Sequence, residues 1–241
     1  MTSAAFAGFG PQALPFFTAL AFHQSREWME ANKGLYETDV RAPMGLLLEE
    51  ASAQLAWRDI PLRGSLKTSM FRLNRDVRFA RDKALYKTAA GAVLTRSGNK
   101  NDPGLVYLHL DPKGCFFACG VYHPLPAQLV ELRADIRDRA AAFRSACAAM
   151  APLELSQEDS LTRAPRGFET VSDPDIASAV RMRSLVFRQP VPDELMVSPA
   201  LVAGFAGFAE KAVPFLRFCW NALDRVPLDG RAEIRKPKAK A

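Results

Sequence analysis

Apolar residues recur at helical spacing near both ends of this chain and at strand spacing in its middle. Residues 9–22, with Leu14, Phe16, Phe17, Leu20 and Phe22, read as a short helix starting near Pro11. Ser25, a residue type that caps helix N-termini, precedes a stripe of Trp28, Leu35, Tyr36 and Val40 and predicts a second helix. Pro43 ends or kinks that helix, and the stripe resumes through Leu46, Leu47 and Leu55 before Pro61 and Gly64 mark a turn. The period then falls to two. Phe71, Leu73, Val77 and Phe79 alternate with Arg72, Asn74, Asp76 and Arg78, which predicts a strand across about 69–79 with one buried face. Further strands are predicted over 92–96, 105–110 and 115–122. The last two form a hairpin around Asp111-Pro112-Lys113-Gly114.

Helical spacing returns at Pro124, where Leu125, Leu129, Leu132, Ile136 and Phe143 oppose a face of Arg133, Asp135, Arg137 and Asp138. This predicts an amphipathic helix laid on the sheet. Residues 152–170 read as irregular, Ser172-Asp173-Pro174 as the start of a short helix, and Ser198-Pro199 as the start of a longer one broken or kinked near Pro214. Helices at both ends around a mainly antiparallel sheet, joined by short connections, predict a single α+β domain over residues 1–229. Residues 230–241 read as a disordered basic tail.

The composition, 49% hydrophobic and 24% charged over 241 residues, is that of an ordinary globular chain. No apolar run is long enough for a bilayer span, and Pro11, Gln12 and Pro15 interrupt the N-terminal stretch where a secretory leader needs continuity. A cytoplasmic protein without membrane contact is the expectation. Cys115, Cys119, Cys147 and Cys219 form no Cys-x-x-Cys pair and sit among apolar residues, so they read as structural, with no metal site expected. The net charge of +6 is unevenly spread. The tail from Gly230 carries five cations and one carboxylate. Residues 71–88 carry six cations (Arg72, Arg75, Arg78, Arg81, Lys83, Lys87) and two carboxylates (Asp76, Asp82), so all the rest is slightly acidic.

That cationic segment also carries a resemblance. Arg72, Asn74, Arg75, Asp76, Arg78, Phe79, Asp82, Lys83, Tyr86, Lys87 and Thr88 follow the signature of a bacterial family of conserved hypothetical proteins, catalogued as domain-of-unknown-function family 2461. Arg26-Glu27-Trp28, Asn32-Lys33, Tyr36, Gly120-Val121-Tyr122-His123-Pro124 and the stretch Leu161–Phe168 resemble further family elements. The likeness runs to about residue 225, implies one domain, and brings no known activity. Leu85 stands where the family commonly has Pro, and His23-Gln24 where it often has Asn-Asn.

On a strand, alternate side chains are about 7 Å apart, so Arg72, Asn74, Asp76 and Arg78 would form one polar strip, with Lys83, Tyr86 and Lys87 in a loop folding back over it. Arg72, Arg75 and Arg78 suit bidentate contact with phosphate or carboxylate, and the lysines add movable charge. Asp76 and Asp82 could orient the arginines, hold a divalent cation, or serve as acid or base. Arg163 and Arg166, on the Pro-Gly turn at 165–167, are candidates to close the site. His109 alternates with Tyr107 and is a candidate base or ligand; the structural reading of each histidine carries more weight. No nucleotide-binding loop is present, and the residues name no cofactor, reaction or oligomeric state. The leading reading is a pocket for a small phosphorylated or carboxylated ligand, with enzymatic activity left open. The alternatives are a nucleic-acid-associated protein using the same cations and a ligand-free scaffold in which they brace the fold.

Overall fold

Four strands, β1 (Ala90–Leu94), β2 (Leu105–Leu110), β3 (Cys115–Val121) and β4 (Leu185–Val191), pair antiparallel in the order β1-β2-β3-β4. The computed structural model describes residues 5–78 and 82–226. The chain is α+β, as the pattern predicts, with helices before and after the sheet. The β2–β3 hairpin lies where expected, with Leu105 opposite Gly120 and His109 opposite Phe116. Gly114, at φ +140, takes the backbone angle the turn requires and side chains avoid.

Successive strand residues point to opposite faces, and here the two faces differ. On one, Phe117 meets Phe205 and Phe208, and Phe187 meets Phe215, all from the helix Leu201–Leu223. That helix packs beside Ala42–Trp57, whose Met44, Leu47, Leu48, Ala51 and Leu55 are fully buried. Pro214 does not break it. An interior proline costs a helix about 3 kcal/mol, and the buried Phe205, Phe208, Phe215 and Phe218 around it bury enough apolar surface to offset that. The other face, bearing Gly91, Tyr107, His109, Phe116, Ala118 and Arg188, is hollowed into a cavity that no helix lines among the described residues.

Both sheet edges are covered by irregular chain, which removes the open ladder that invites edge-to-edge association. Arg63 bridges Thr95 and Met70 bridges Ala92 along β1; Leu155 bridges Phe187 along β4. The segment predicted as a strand over 69–79 is therefore not one across its described residues, 69–78. It makes two isolated bridges, Met70–Ala92 and Asn74–Tyr86, held by Phe71 N–H to Gly91 O, Arg75 N–H to Leu85 O and Lys87 N–H to Leu73 O. Its alternation of burial survives: Leu73 is buried, Phe71, Arg75 and Val77 are half-buried, and Arg72, Asn74, Asp76 and Arg78 are exposed. The cause is charge density. Carboxylates bonding neighbouring backbone and side chains, as Asp76 does with Arg78 and Asp82 with Ala84, favour turns over a ladder.

Other boundaries shift for local reasons. Ser25 caps Arg26–Ala31 by accepting from the Trp28 N–H. Pro43 does not end helical structure; it lies in the first turn of Ala42–Trp57, entered through a wider π-helical turn, Tyr36–Arg41. The helix Pro126–Asp138 packs chiefly on helices Ala140–Ala148, Pro174–Arg181 and Leu201–Leu223 rather than on the sheet. Its Arg133 and Asp135 are buried, contrary to the expected solvent face, because Arg133 donates to Met182 O and Asp135 is bonded by Arg139 and Arg225. β4 is a strand the pattern did not predict. It is an edge strand, where its Pro190 is tolerated. The tail from residue 230, together with Phe79 and Arg81, lies outside the described residues.

Candidate functional site

The open sheet face is hollowed into a cavity of about 360 Å³. Its floor is Tyr107, His109, Phe116, Ala118 and Gly120, and its rims carry Phe71 and Lys87 on one side, Val186 and Arg188 on the other. β2 and β3 supply the floor because residues of one parity point this way while their neighbours enter the core. The rings pack as a set: His109 lies 4.5 Å from Phe116 between centroids, and Tyr107 lies 6.0 Å from Phe116 and 6.1 Å from Phe71. Gly91 makes room for this. A methyl group there would fall 2.3 Å from the Tyr107 hydroxyl, so only glycine lets the ring lie across β1.

A hydrogen-bonded series runs along the floor. Tyr107 Oη is 2.8 Å from His109 Nδ1, and His109 Nε2 is 3.3 Å from Asp111 Oδ2. Asp111 is held in turn, since its Oδ1 accepts the Lys113 N–H at 2.8 Å. Burial pushes the imidazole below the ordinary histidine range, with Arg188 adding to the effect and Asp111 opposing it. The Tyr107 phenol is pushed up to about 12, first by burial and then by the Asp111 charge. Histidine is thus neutral and tyrosine protonated near pH 7.

The described cations of residues 72–88 divide into two groups. Arg75 pairs with Asp82 at 2.5 Å, and Arg78 forks onto both oxygens of Asp76 at 3.0 Å. The arginine holds the Asp82 carboxyl below its usual range, and the Ala84 N–H lowers it further. Lys83 donates to Val77 O at 3.2 Å. These bonds knit the loop to itself. Lys87 stands apart, 5.5 Å from the Phe71 ring centroid, with its ammonium lowered first by desolvation and then by Arg72 and Lys100. Neither Arg72 nor Lys87 has a carboxylate within salt-bridge distance among the described residues. Lys87 also lines a second, shallower hollow with Arg75, Asp82 and Tyr86.

The other predicted residues are placed as follows. Tyr86 is only 7% exposed and packs in the core; its N–H donates to Gln24 Oε1, so the Gln24 that stands in place of Asn holds the segment's return. Asn74 serves through its backbone bridge to Tyr86 and is exposed. Arg163 and Arg166 are exposed on the chain that follows the Ser160–Met182 bridge, beyond the β4 edge, whereas residues 70–78 and 82–88 lie beyond β1. No hydrogen bond or ion pair among the described residues joins the two segments. Sequence reasoning paired Tyr107 with His109 but missed Asp111, although Tyr-x-His-x-Asp continues the same period. Arg188 was missed with β4 itself.

No curated protein and no solved structure matches the chain. The sequence profile of one family does, across residues 12–218, which include the sheet, the cavity floor and the cationic loop. The chain therefore belongs to the family of conserved hypothetical proteins DUF2461.

Proposed function

We propose that the cavity on the open sheet face binds a small organic anion, its flat or apolar body against Phe71, Tyr107 and Phe116 and its charge at the rim. The observation that carries this reading is Lys87 on the rim of an aromatic cavity, its ammonium lowered first by desolvation and then by the charges of Arg72 and Lys100. Like charges with no carboxylate within salt-bridge distance of Arg72 or Lys87 among the described residues raise the free energy of the empty site, and an anion relieves it. Arg188 faces them across the cavity, stacked 5.3 Å from the Phe116 centroid and tethered to Glu158. In this reading Asp76 and Asp82 fix the loop by holding Arg78 and Arg75, and the surplus charge belongs to Arg72 and Lys87. A carboxylate and a phosphate share the chemistry such a rim recognises.

The experiment is a thermal-shift series with carboxylated and phosphorylated small molecules on the wild type, Lys87→Ala and Arg72→Ala. A subset of anions raises the wild-type melting temperature. Loss of a hydrogen bond to a charged group costs about 1.5–3 kcal/mol, so Lys87→Ala weakens that binding by roughly 10- to 100-fold. A flat response across the series, with Arg72→Ala merely lowering stability, supports the scaffold reading instead.

A further inference from the structure

Tyr107, His109 and Asp111 are spaced two apart; Tyr107 and His109 line the cavity from β2, and Asp111, just past the strand, reaches His109 Nε2 from behind. The Asp111 carboxylate can only accept from His109 Nε2, which places the ring proton there and leaves Nδ1 with a lone pair. That lone pair accepts the Tyr107 hydroxyl. The phenol oxygen thus keeps its own acceptor capacity, and Tyr107 lines the cavity with its hydroxyl seated over Gly91.

We propose that Tyr107 is a catalytic residue of this cavity, part of a Tyr107–His109–Asp111 relay that takes a proton from the carbon next to the carbonyl of a bound 2-oxo acid. The proposal rests on the anion-binding reading for its substrate. In the step, the ligand's C–H bond breaks and its proton passes to Tyr107 Oη while the phenol proton moves to His109 Nδ1. The electron pair of the broken bond becomes the enolate. The imidazolium that forms is stabilised by Asp111, and the enolate charge develops in the same cavity as Lys87 and Arg188. Reversal with a solvent-derived proton returns the 2-oxo acid, so no oxidant, reductant or second substrate is consumed. No free phenolate forms at any point, which suits a phenol that holds its proton as firmly as this one. The charged and titratable groups around the imidazole are Asp111 and Tyr107 from β2 and its turn, Tyr122 beyond β3, Arg188 from β4 and Lys87 from the β1 side.

The test places 2-oxobutanoate in D2O with the full chain and follows loss of its C3 proton signal by NMR, with thermal shift by the same compound measured in parallel. The wild type catalyses exchange, and the rate rises with pH as His109 loses its proton, then levels. Tyr107→Phe, which keeps the ring, and His109→Gln each slow exchange by about 100-fold or more, the usual span for a general base, while still showing the thermal shift. Asp111→Asn slows it less. Exchange absent from the wild type despite a clear thermal shift overturns the relay and leaves anion binding standing. Exchange that persists undiminished in Tyr107→Phe overturns it equally. Neither exchange nor thermal shift removes both.

Discussion

At the scale of single residues, the site depends on an absent side chain. A Gly91→Ala substitution drives the Tyr107 ring off β1 and breaks its bond to His109. Overpacking of this kind costs about 1–3 kcal/mol, to be read from denaturant unfolding together with the imidazole nitrogen resonances of His109. The same histidine sets a pH dependence. Its folded-state pKa lies below that of the unfolded chain, so acidification protonates the unfolded state first. Stability contributed by neutral His109 is present above about pH 6.5, the free histidine value, and is lost as pH falls below it. Unfolding curves from pH 8 to pH 5 should therefore fall more steeply for the wild type than for His109→Gln; parallel curves would exclude the buried neutral form. Part of this was readable in the sequence. Tyr107 and His109 stand at strand spacing, but their shared proton depends on which face of the sheet stays open, and that is decided by the distant helix Leu201–Leu223.

At the scale of elements, legibility follows how local the cause is. The β2–β3 hairpin is announced by its own turn residues, and Ser25 announces its helix; Ser25→Ala should cost about 1 kcal/mol, measured by thermal or denaturant unfolding, with helix Arg26–Ala31 losing amide protection first. Residues 69–79 have the strand period without the strand. The alternation reports which side chains are buried, whereas ladder formation needs a continuous partner, and here Asp76 and Asp82 turn the chain away after two bridges. β4 hid for the opposite reason. Arg188 and Pro190 look unlike a strand interior, and only its position at the sheet edge makes them acceptable. The cationic loop follows the same logic: six cations were visible, yet which of them Asp76 and Asp82 would match depended on the loop's path.

At the scale of the whole molecule, the two faces of one sheet do separate work. The face under the long C-terminal helix holds the fold; Phe205→Ala there removes a fully buried ring and should cost about 3–5 kcal/mol, seen as an early, cooperative unfolding transition. On the open face, Tyr107→Phe keeps the ring and Lys87→Ala removes only a rim side chain, so both should unfold near the wild-type midpoint. Binding of an organic anion on this open face, as proposed, is read by an NMR titration of the labelled chain with 2-oxobutanoate at physiological salt. Saturable shifts centred on Gly91, Tyr107, His109, Ala118 and Gly120, and lost in Lys87→Ala, are the predicted result. Shifts spread over exposed arginines and lysines and erased by added salt, or none at the sheet, would contradict it.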